Sequence, residues 1–149
     1  SAVGGGVAGV RLSQGKINNF EHQWAGGAGD ARAIFTALAE AGADYLHLTT
    51  RQAGAEVFGS GRSLAGLARD YSGLPAIACG SLHDADAALG VLERGEADFV
   101  SIAKGAIGDP ALPKKIASGE IPLPFQPEML MPLATLECTN AWRAANMPG

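Results

Sequence analysis

The feature that most constrains the fold of this chain is an internal repeat of one helix followed by one strand. Residues 33–48, AIFTALAEAGADYLHL, match residues 87–102, AALGVLERGEADFVSI, at an offset of 54 positions. In both copies a helical segment leads through a glycine-containing turn and an Ala-Asp pair into a short apolar run. A unit that recurs with the same order of helix, turn and strand indicates a chain built from βα units.

Two further apolar runs complete four such units. The predicted strands are 7–12, 44–48, 75–79 and 99–103, and the predicted helices are 30–41, 63–71, 83–94 and about 110–118. Asp30 and Ser63 are predicted N-caps, and Gly95 is the predicted stop of the third helix. Strands that are continuous apolar runs between helices favour a parallel sheet covered on both faces. Four units are half of a (β/α)8 barrel, and an open doubly wound sheet gives the same pattern.

Composition limits the class of protein. The chain has 149 residues, is 47% hydrophobic and 17% charged, and carries a net charge of −4, which fits one globular domain. The acidic balance argues against nucleic-acid or membrane partners, and no apolar run approaches a membrane span. With no signal peptide and no metal-type spacing of His or Cys, the sequence predicts a cytosolic protein without a metal site. Residues 1–6 are predicted to be a disordered start, 7–120 the barrel portion and 121–149 a Pro-rich tail that wraps around it.

Candidate chemistry lies at the carboxyl ends of the predicted strands. Gly80 and Ser81 follow the third strand, where glycine lets main-chain amides approach a ligand and the next helix presents its positive end. Lys104 follows the fourth strand, and the polar, Gly-rich residues 50–62 read as a long loop on the same side. These features favour a phosphate site. The alternative is that the glycines only make tight turns and Lys104 is solvated.

Arg11 lies near the end of the first apolar strand. A buried arginine needs an anion or several acceptors. It either pairs with an internal carboxylate, such as that of Asp44 or Asp98, or it faces a ligand.

Three segments together resemble the C-terminal half of the old yellow enzyme family of NADH:flavin oxidoreductases. They are GVRLSQ, AGADYLHLTT and the long run from Leu74 to Glu120, so the resemblance extends over about residues 7–120. The family is an FMN-binding (β/α)8 barrel. The resemblance implies that the four strands correspond to its strands five to eight, and the Pro-rich tail is similar to the family's ending.

The resemblance also implies roles for individual residues. Arg11 matches an arginine that contacts the flavin ring and stabilises negative charge on the reduced form. Gly80 and Ser81 match the turn whose amides hold the FMN phosphate. Ala103 and Lys104 fall where the family usually has Gly-Arg. Lysine neutralises phosphate as a point charge without the bidentate fork of arginine, so phosphate binding is expected to be weaker or rearranged.

The implied activity is hydride transfer from NADH or NADPH to FMN and then to an electrophilic alkene. The family's His-Asn or His-His pair and its proton-donating Tyr belong to the other half of the barrel, so no catalytic residue is assigned here. We therefore expect a chain that is inactive without an N-terminal half-barrel. The alternatives are a half-barrel that self-associates through its exposed strand edges and binds a phosphorylated ligand without redox chemistry, or a barrel enzyme acting on a sugar phosphate.

Overall fold

The computed structural model describes residues 5–16, 18–19 and 21–146, in two compact units that divide between Ile102 and Ala103. The first unit contains strands β1 (Gly9–Leu12), β2 (Tyr45–Thr49), β3 (Ala76–Cys79) and β4 (Phe99–Ser101), and helices α1 (Ala28–Glu40), α2 (Leu64–Ser72) and α3 (Ala85–Glu93). The second contains helices α4 (Lys104–Gly108), α5 (Leu112–Ser118) and α6 (Leu136–Asn146), with a 3₁₀ helix at Pro127–Leu130. Most of the predicted disordered start, residues 1–4, lies outside the described residues, and the predicted domain boundaries stay predictions.

The order of the strands separates the two architectures that the sequence left open. The sheet runs β1-β2-β3-β4, and every neighbouring pair is parallel. A doubly wound sheet reverses its strand order at a switch point, whereas a barrel adds each strand to the same side of the preceding one. The first unit therefore has four consecutive parallel strands joined by three helices, in the order found in a (β/α)8 barrel, and the half-barrel prediction is confirmed.

The two faces of the sheet differ in what covers them. The side chains of Leu46, Leu48 and Ala78 are buried on one face, within a core that includes Phe35 of α1. Alternate residues point to the other face, where Arg11 is exposed and Phe99 is 62% exposed. The expectation of a sheet covered on both faces holds for one face only among the described residues.

The sequence repeat corresponds to a repeated contact. The Asp44 carboxylate accepts a hydrogen bond from the amide of Ala8 at 2.6 Å, and the Asp44 amide donates to the Ala8 carbonyl at 2.8 Å. Fifty-four residues later, Asp98 makes the same pair of bonds with Ala76, at 2.8 and 2.9 Å. Each aspartate thus ties the start of its own strand to the start of a neighbouring strand. Asp98 also forms an ion pair with Arg69 at 3.0 Å.

Two of the three predicted helix ends are confirmed. The Ser63 hydroxyl accepts from an amide in the first turn of α2, and Gly95, with φ of +64°, follows the end of α3. Asp30 is not the N-cap of α1. That helix begins two residues earlier, after Gly27 at φ +55°, and Asp30 instead accepts from the amide of Gly26 at 2.8 Å.

In the second unit, the buried carboxylate of Asp109 connects several segments. It accepts hydrogen bonds from the amides of Ala111 at 3.0 Å and Leu123 at 2.9 Å, and pairs with Lys115 at 2.7 Å. The hydrogen bond from Lys115, followed by the one from Leu123, lowers the pKa of Asp109 below its usual range. Its bond to Leu123 joins residues 14 positions apart, and no local pattern in the sequence indicates it.

The sequence also missed two helices, α4 and α6. Helix α6 lies in the Pro-rich tail that was predicted to wrap around the barrel portion, and its buried Thr139 hydroxyl donates to the carbonyl of Met129 at 3.0 Å. Arg143 donates to the carbonyl of Ile107. The prolines of the tail suggested that no helix forms there. They do not prevent this helix, because none of them lies inside it. None of the described helices is both long and apolar enough to span a membrane.

Candidate cofactor site

The predicted cofactor-binding residues are divided between the two units. Arg11 lies on β1, and Gly80 and Ser81 directly follow β3, all at the carboxyl edge of the sheet in the first unit. Ala103 and Lys104 begin the second unit. The carboxyl edge of a parallel sheet is where barrels place their ligands. The structure therefore brings the first three residues to the edge where a ligand is expected.

Arg11 is held by a neighbouring strand and not by a carboxylate. Its Nε donates to the Oγ1 of Thr49 at 2.9 Å, and the side chain is exposed. The two carboxylates proposed as internal partners have other partners: Asp44 bonds to Ala8, and Asp98 bonds to Ala76 and Arg69. The expectation that Arg11 is buried is therefore wrong for the described chain, since its strand face is uncovered there. Neither carboxylate pairs with Arg11 among the described residues, and its role at a ligand stays a prediction.

His47 is a second notable residue on this face. It lies beside Arg11 in the β1–β2 register, and its Nε2 atom is buried without a hydrogen-bond partner among the described residues. Burial, and then the positive charge of Arg11, lower the pKa of His47. The imidazole is therefore neutral at neutral pH and leaves Arg11 as the cation of this pair.

The Gly80–Ser81 turn has an unusual backbone. Gly80 has φ of +144° and Ser81 has φ of +52°, a conformation that only glycine adopts freely. A Cβ at Gly80 would lie 2.1 Å from the main-chain oxygen of Thr50, the residue that follows β2. This close approach of the two main chains requires glycine at position 80. The Ser81 hydroxyl donates to the carbonyl of Arg51 at 2.8 Å. A ligand at this turn would therefore contact its main chain and not the Ser81 hydroxyl.

The helix after this turn offers less to an anion than the sequence suggested. The Asp84 carboxylate caps α3 by accepting from the amide of Ala87 at 2.8 Å, and Asp86 adds a second negative charge in the first turn. Both stabilise the helix through its dipole. They also place negative charge where a phosphate was expected to meet the positive end of the helix. His83 is exposed in the turn and precedes the helix instead of lying within it.

In the second unit, Ala103 is the N-cap of α4 and Lys104 is the first residue of this helix. Ala103 has φ of −100°, so a side chain is tolerated where the family usually has glycine. Lys104 is exposed. The predicted roles of both residues at a phosphate stay predictions.

Sequence reasoning missed a cavity of about 720 Å³ in the first unit. Its walls come from the segments that follow β1 and β2; the described lining residues are Ser13, Gln14, Gly15, Lys16, Glu21, His22, Gln23, Thr49, Thr50, Arg51, Gln52, Ala55 and Val57. The sequence indicated one wall of this cavity, because the polar loop predicted over 50–62 supplies it. The other wall could not be predicted, because no motif marks residues 13–23.

Comparison with sequences gives a short match. No family model matches the chain. A protein described as a metal reductase from Desulforamulus reducens is 37% identical over 59 residues, which is 40% of this chain and 8% of that protein. The chain thus corresponds to a small part of that relative.

Comparison with solved structures covers most of the chain. Morphinone reductase in complex with tetrahydroNAD matches 80% of it with a TM-score of 0.63 and 24% identity. The old yellow enzyme from Trypanosoma cruzi matches 89% with a TM-score of 0.69 and 17% identity. The chain spans 31% and 33% of the lengths of these two proteins. The resemblance to old yellow enzymes predicted from the sequence is confirmed as a likeness of fold.

Proposed function

We propose that this chain is the FMN-binding portion of an NAD(P)H:flavin oxidoreductase whose substrates are electrophilic alkenes. The observation that carries the proposal is the position of Arg11, an exposed cation held by Thr49 at the carboxyl edge of a half-barrel. The likeness to morphinone reductase solved with tetrahydroNAD supports the class of reaction. The match to part of a metal reductase is also consistent with redox chemistry.

The residues present fit an anionic, aromatic cofactor such as FMN. The guanidinium of Arg11 would lie beside the flavin ring. The main chain at Gly80 and Ser81 would contact the phosphate, and Lys104 would supply a point charge to it. When bound, FMN would supply hydride transfer between the nicotinamide and the alkene. The neutral state of His47 keeps a second positive charge away from Arg11.

The proposal includes a partner for the uncovered sheet face. Strands β1 and β4 are the edges of the sheet, and Phe99 of β4 is 62% exposed on the face that carries Arg11. Edge strands with unpaired amides and carbonyls invite pairing with other strands. We infer that a complementary half-barrel pairs with both edges and brings the catalytic residues. Without it the chain would hold cofactor and not turn over.

A titration of the purified chain with FMN, followed between 300 and 550 nm, tests the cofactor proposal. A saturable shift of the flavin bands is expected. Arg11→Gln should weaken binding about tenfold or more, as expected for a lost charge-assisted hydrogen bond. The matched control is Arg32→Gln, since Arg32 lies over the ring of Tyr71, 4.6 Å from its centroid, away from the site. Equal loss in both variants, or no binding by the parent chain up to millimolar FMN, contradicts the proposal.

The second candidate is a half-barrel that self-associates and binds a phosphorylated ligand without redox chemistry. The two open edges favour it, because two copies would supply eight strands in a closed sheet. Native mass spectrometry with and without FMN separates the candidates. A dimer that binds phosphorylated ligands but not FMN supports this one.

A further inference from the structure

A second cavity of the first unit, here called the α3 cavity, lies between α3 and the loop that follows β2. Its volume of about 430 Å³ falls within the range of small-molecule sites. One wall is formed by Asp86 and Gly90 of α3 and by Arg94 at its end. These three residues are spaced four apart, so they share one face of the helix. The opposite wall is formed by the loop, including Gln52 and Gly54.

Two hydrogen bonds join this loop to the turn after β3. The amide of Ala53 donates to the carbonyl of Gly80 at 3.0 Å, and the Ser81 hydroxyl donates to the carbonyl of Arg51 at 2.8 Å. Ala53 and Leu82 also line the cavity, and each is only 4% exposed. The α3 cavity therefore has a fixed apolar wall that does not have to form when a ligand binds.

The guanidinium of Arg94 is held between the helix and the loop. A Cβ at Gly90 would lie 3.2 Å from its Nη1, and a Cβ at Gly54 would lie 3.1 Å from its Nη2. Its Nε pairs with the carboxylate of Glu96 at 3.1 Å, and the side chain of Glu96 is buried. Among the described residues, Glu96 is the only hydrogen-bond partner of this guanidinium. The four N–H donors on Nη1 and Nη2 therefore remain for a ligand.

The charges on the helix wall select the chemistry of the ligand. Asp86 is the only acid and Arg94 the only base among the described lining residues, and no ion pair in the described chain joins them. Side chains four residues apart on a helix have Cβ atoms about 5–6 Å apart. Because the guanidinium of Arg94 lies over Gly90, its positive charge is roughly one helical turn from Asp86. A ligand with both an ammonium and a carboxylate can pair with both groups, whereas a simple ion would be repelled by one of them.

We propose that the α3 cavity binds a free α-amino acid with a small apolar side chain. The carboxylate of the ligand accepts hydrogen bonds from the Nη atoms of Arg94, and its ammonium donates to Asp86. A carboxylate matches the planar donors of a guanidinium better than it matches other cations. The apolar side chain of the ligand contacts Ala53 and Leu82. This inference goes beyond the proposed function and does not need a flavin.

L-Valine is the probe, added to the full chain and followed by ¹H–¹⁵N NMR. We expect saturable shifts of the amides of Gly54 and Gly90, which lie on opposite walls. N-Acetyl-L-valine lacks the ammonium, and L-valine amide lacks the carboxylate. Each derivative should bind about fivefold or more weakly than L-valine, because one of the two charge pairs is lost.

Variants of the two charged residues test their roles separately. Arg94→Gln should weaken binding of L-valine about tenfold, and Asp86→Asn about fivefold because this carboxylate is exposed. The matched controls are Arg32→Gln, on the ring of Tyr71, and Glu93→Gln, an exposed residue of α3 that does not line the cavity. Neither control should change binding. Asp86 has an exposed side chain, so its variant keeps the test valid if Arg94→Gln does not fold.

Four results would overturn the inference. They are the absence of shifts with millimolar L-valine, equal binding of L-valine and either derivative, displacement of L-valine by inorganic phosphate, and equal binding by the cavity variants and their controls. Displacement by phosphate would mean that Arg94 takes simple anions. Because the readout uses no flavin, an FMN titration that fails leaves the result unchanged.

Discussion

Replacing Gly80 with alanine tests whether this glycine is required by the fold itself. The added Cβ would meet the Thr50 carbonyl, 2.1 Å from its oxygen and 2.9 Å from its carbon. The residue has φ of +144°, where an L side chain is strained. The main chain at Thr50 would have to move by more than 1 Å to restore an ordinary distance of about 3.5 Å between its oxygen and the added Cβ.

The expected cost follows from two contributions. A non-glycine residue in a sparsely populated conformation costs about 1–3 kcal/mol. Overpacking against a neighbouring segment adds about 1–3 kcal/mol. We expect Gly80→Ala to lower the free energy of unfolding by about 4 kcal/mol, a large share of the roughly 5–15 kcal/mol of a typical domain.

Gly73 provides the matched control. It ends α2 with φ of +69°, and a Cβ there would have no neighbour within 4 Å. Gly73→Ala should cost only the left-handed conformation, about 1–2 kcal/mol. Urea unfolding can be followed by Trp24 fluorescence in a Trp142→Phe background, because the Trp24 ring packs 5.9 Å from Phe35 in the core of the first unit.

If the two alanine variants lose the same stability within about 0.5 kcal/mol, the contact with Thr50 does not constrain this turn and the reasoning is refuted. If Gly80→Ala costs far more, a loss of FMN binding in that variant reports a displaced turn. Such a loss would then not identify a direct contact with phosphate.

Three further predictions concern the imidazole of His47 and the carboxylates of Asp98 and Asp109. Because the pKa of His47 is lowered in the folded state, the unfolded chain takes up the proton first. Stability should fall as pH drops below about 6.5, and His47→Gln should flatten this slope in urea titrations at several pH values. Asp98→Ala should cost about 2 kcal/mol and more than Asp44→Ala, since only Asp98 also pairs with Arg69; equal losses by thermal unfolding would contradict this. The lowered pKa of Asp109 means that its contribution is complete above the usual aspartate range and is lost as pH falls through the folded value. Asp109→Asn should therefore speed proteolysis of the tail at neutral pH, and unchanged cleavage would contradict the role of this carboxylate.

The elements of the first unit could be predicted from the sequence because their signals are local. Each of β1 to β4 lies within two residues of a predicted apolar run, and Ser63 and Gly95 mark helix ends as expected. The offset of 54 between the two αβ copies predicted a repeated unit. The structure shows that the aspartate of each copy, Asp44 or Asp98, makes the same pair of hydrogen bonds to a neighbouring strand. Helices α4 and α6 were missed, since a five-residue helix has no period to detect and the prolines near α6 suggested a wrapping tail.

The candidate site depended more on tertiary structure. The sequence alone determined that an arginine lies near the end of one strand and that a glycine turn and a lysine follow two others, because strand alternation and glycine are visible locally. Only the fold decided that Arg11 bonds to Thr49 on a neighbouring strand, with no carboxylate as its partner. Likewise, glycine is required at position 80 because the fold brings Thr50 close to it. The cavity lined by Gln14 forms because the fold brings two separate loops together. These contacts join residues more than 25 positions apart in the chain, and no local pattern records which distant groups the folded backbone brings together.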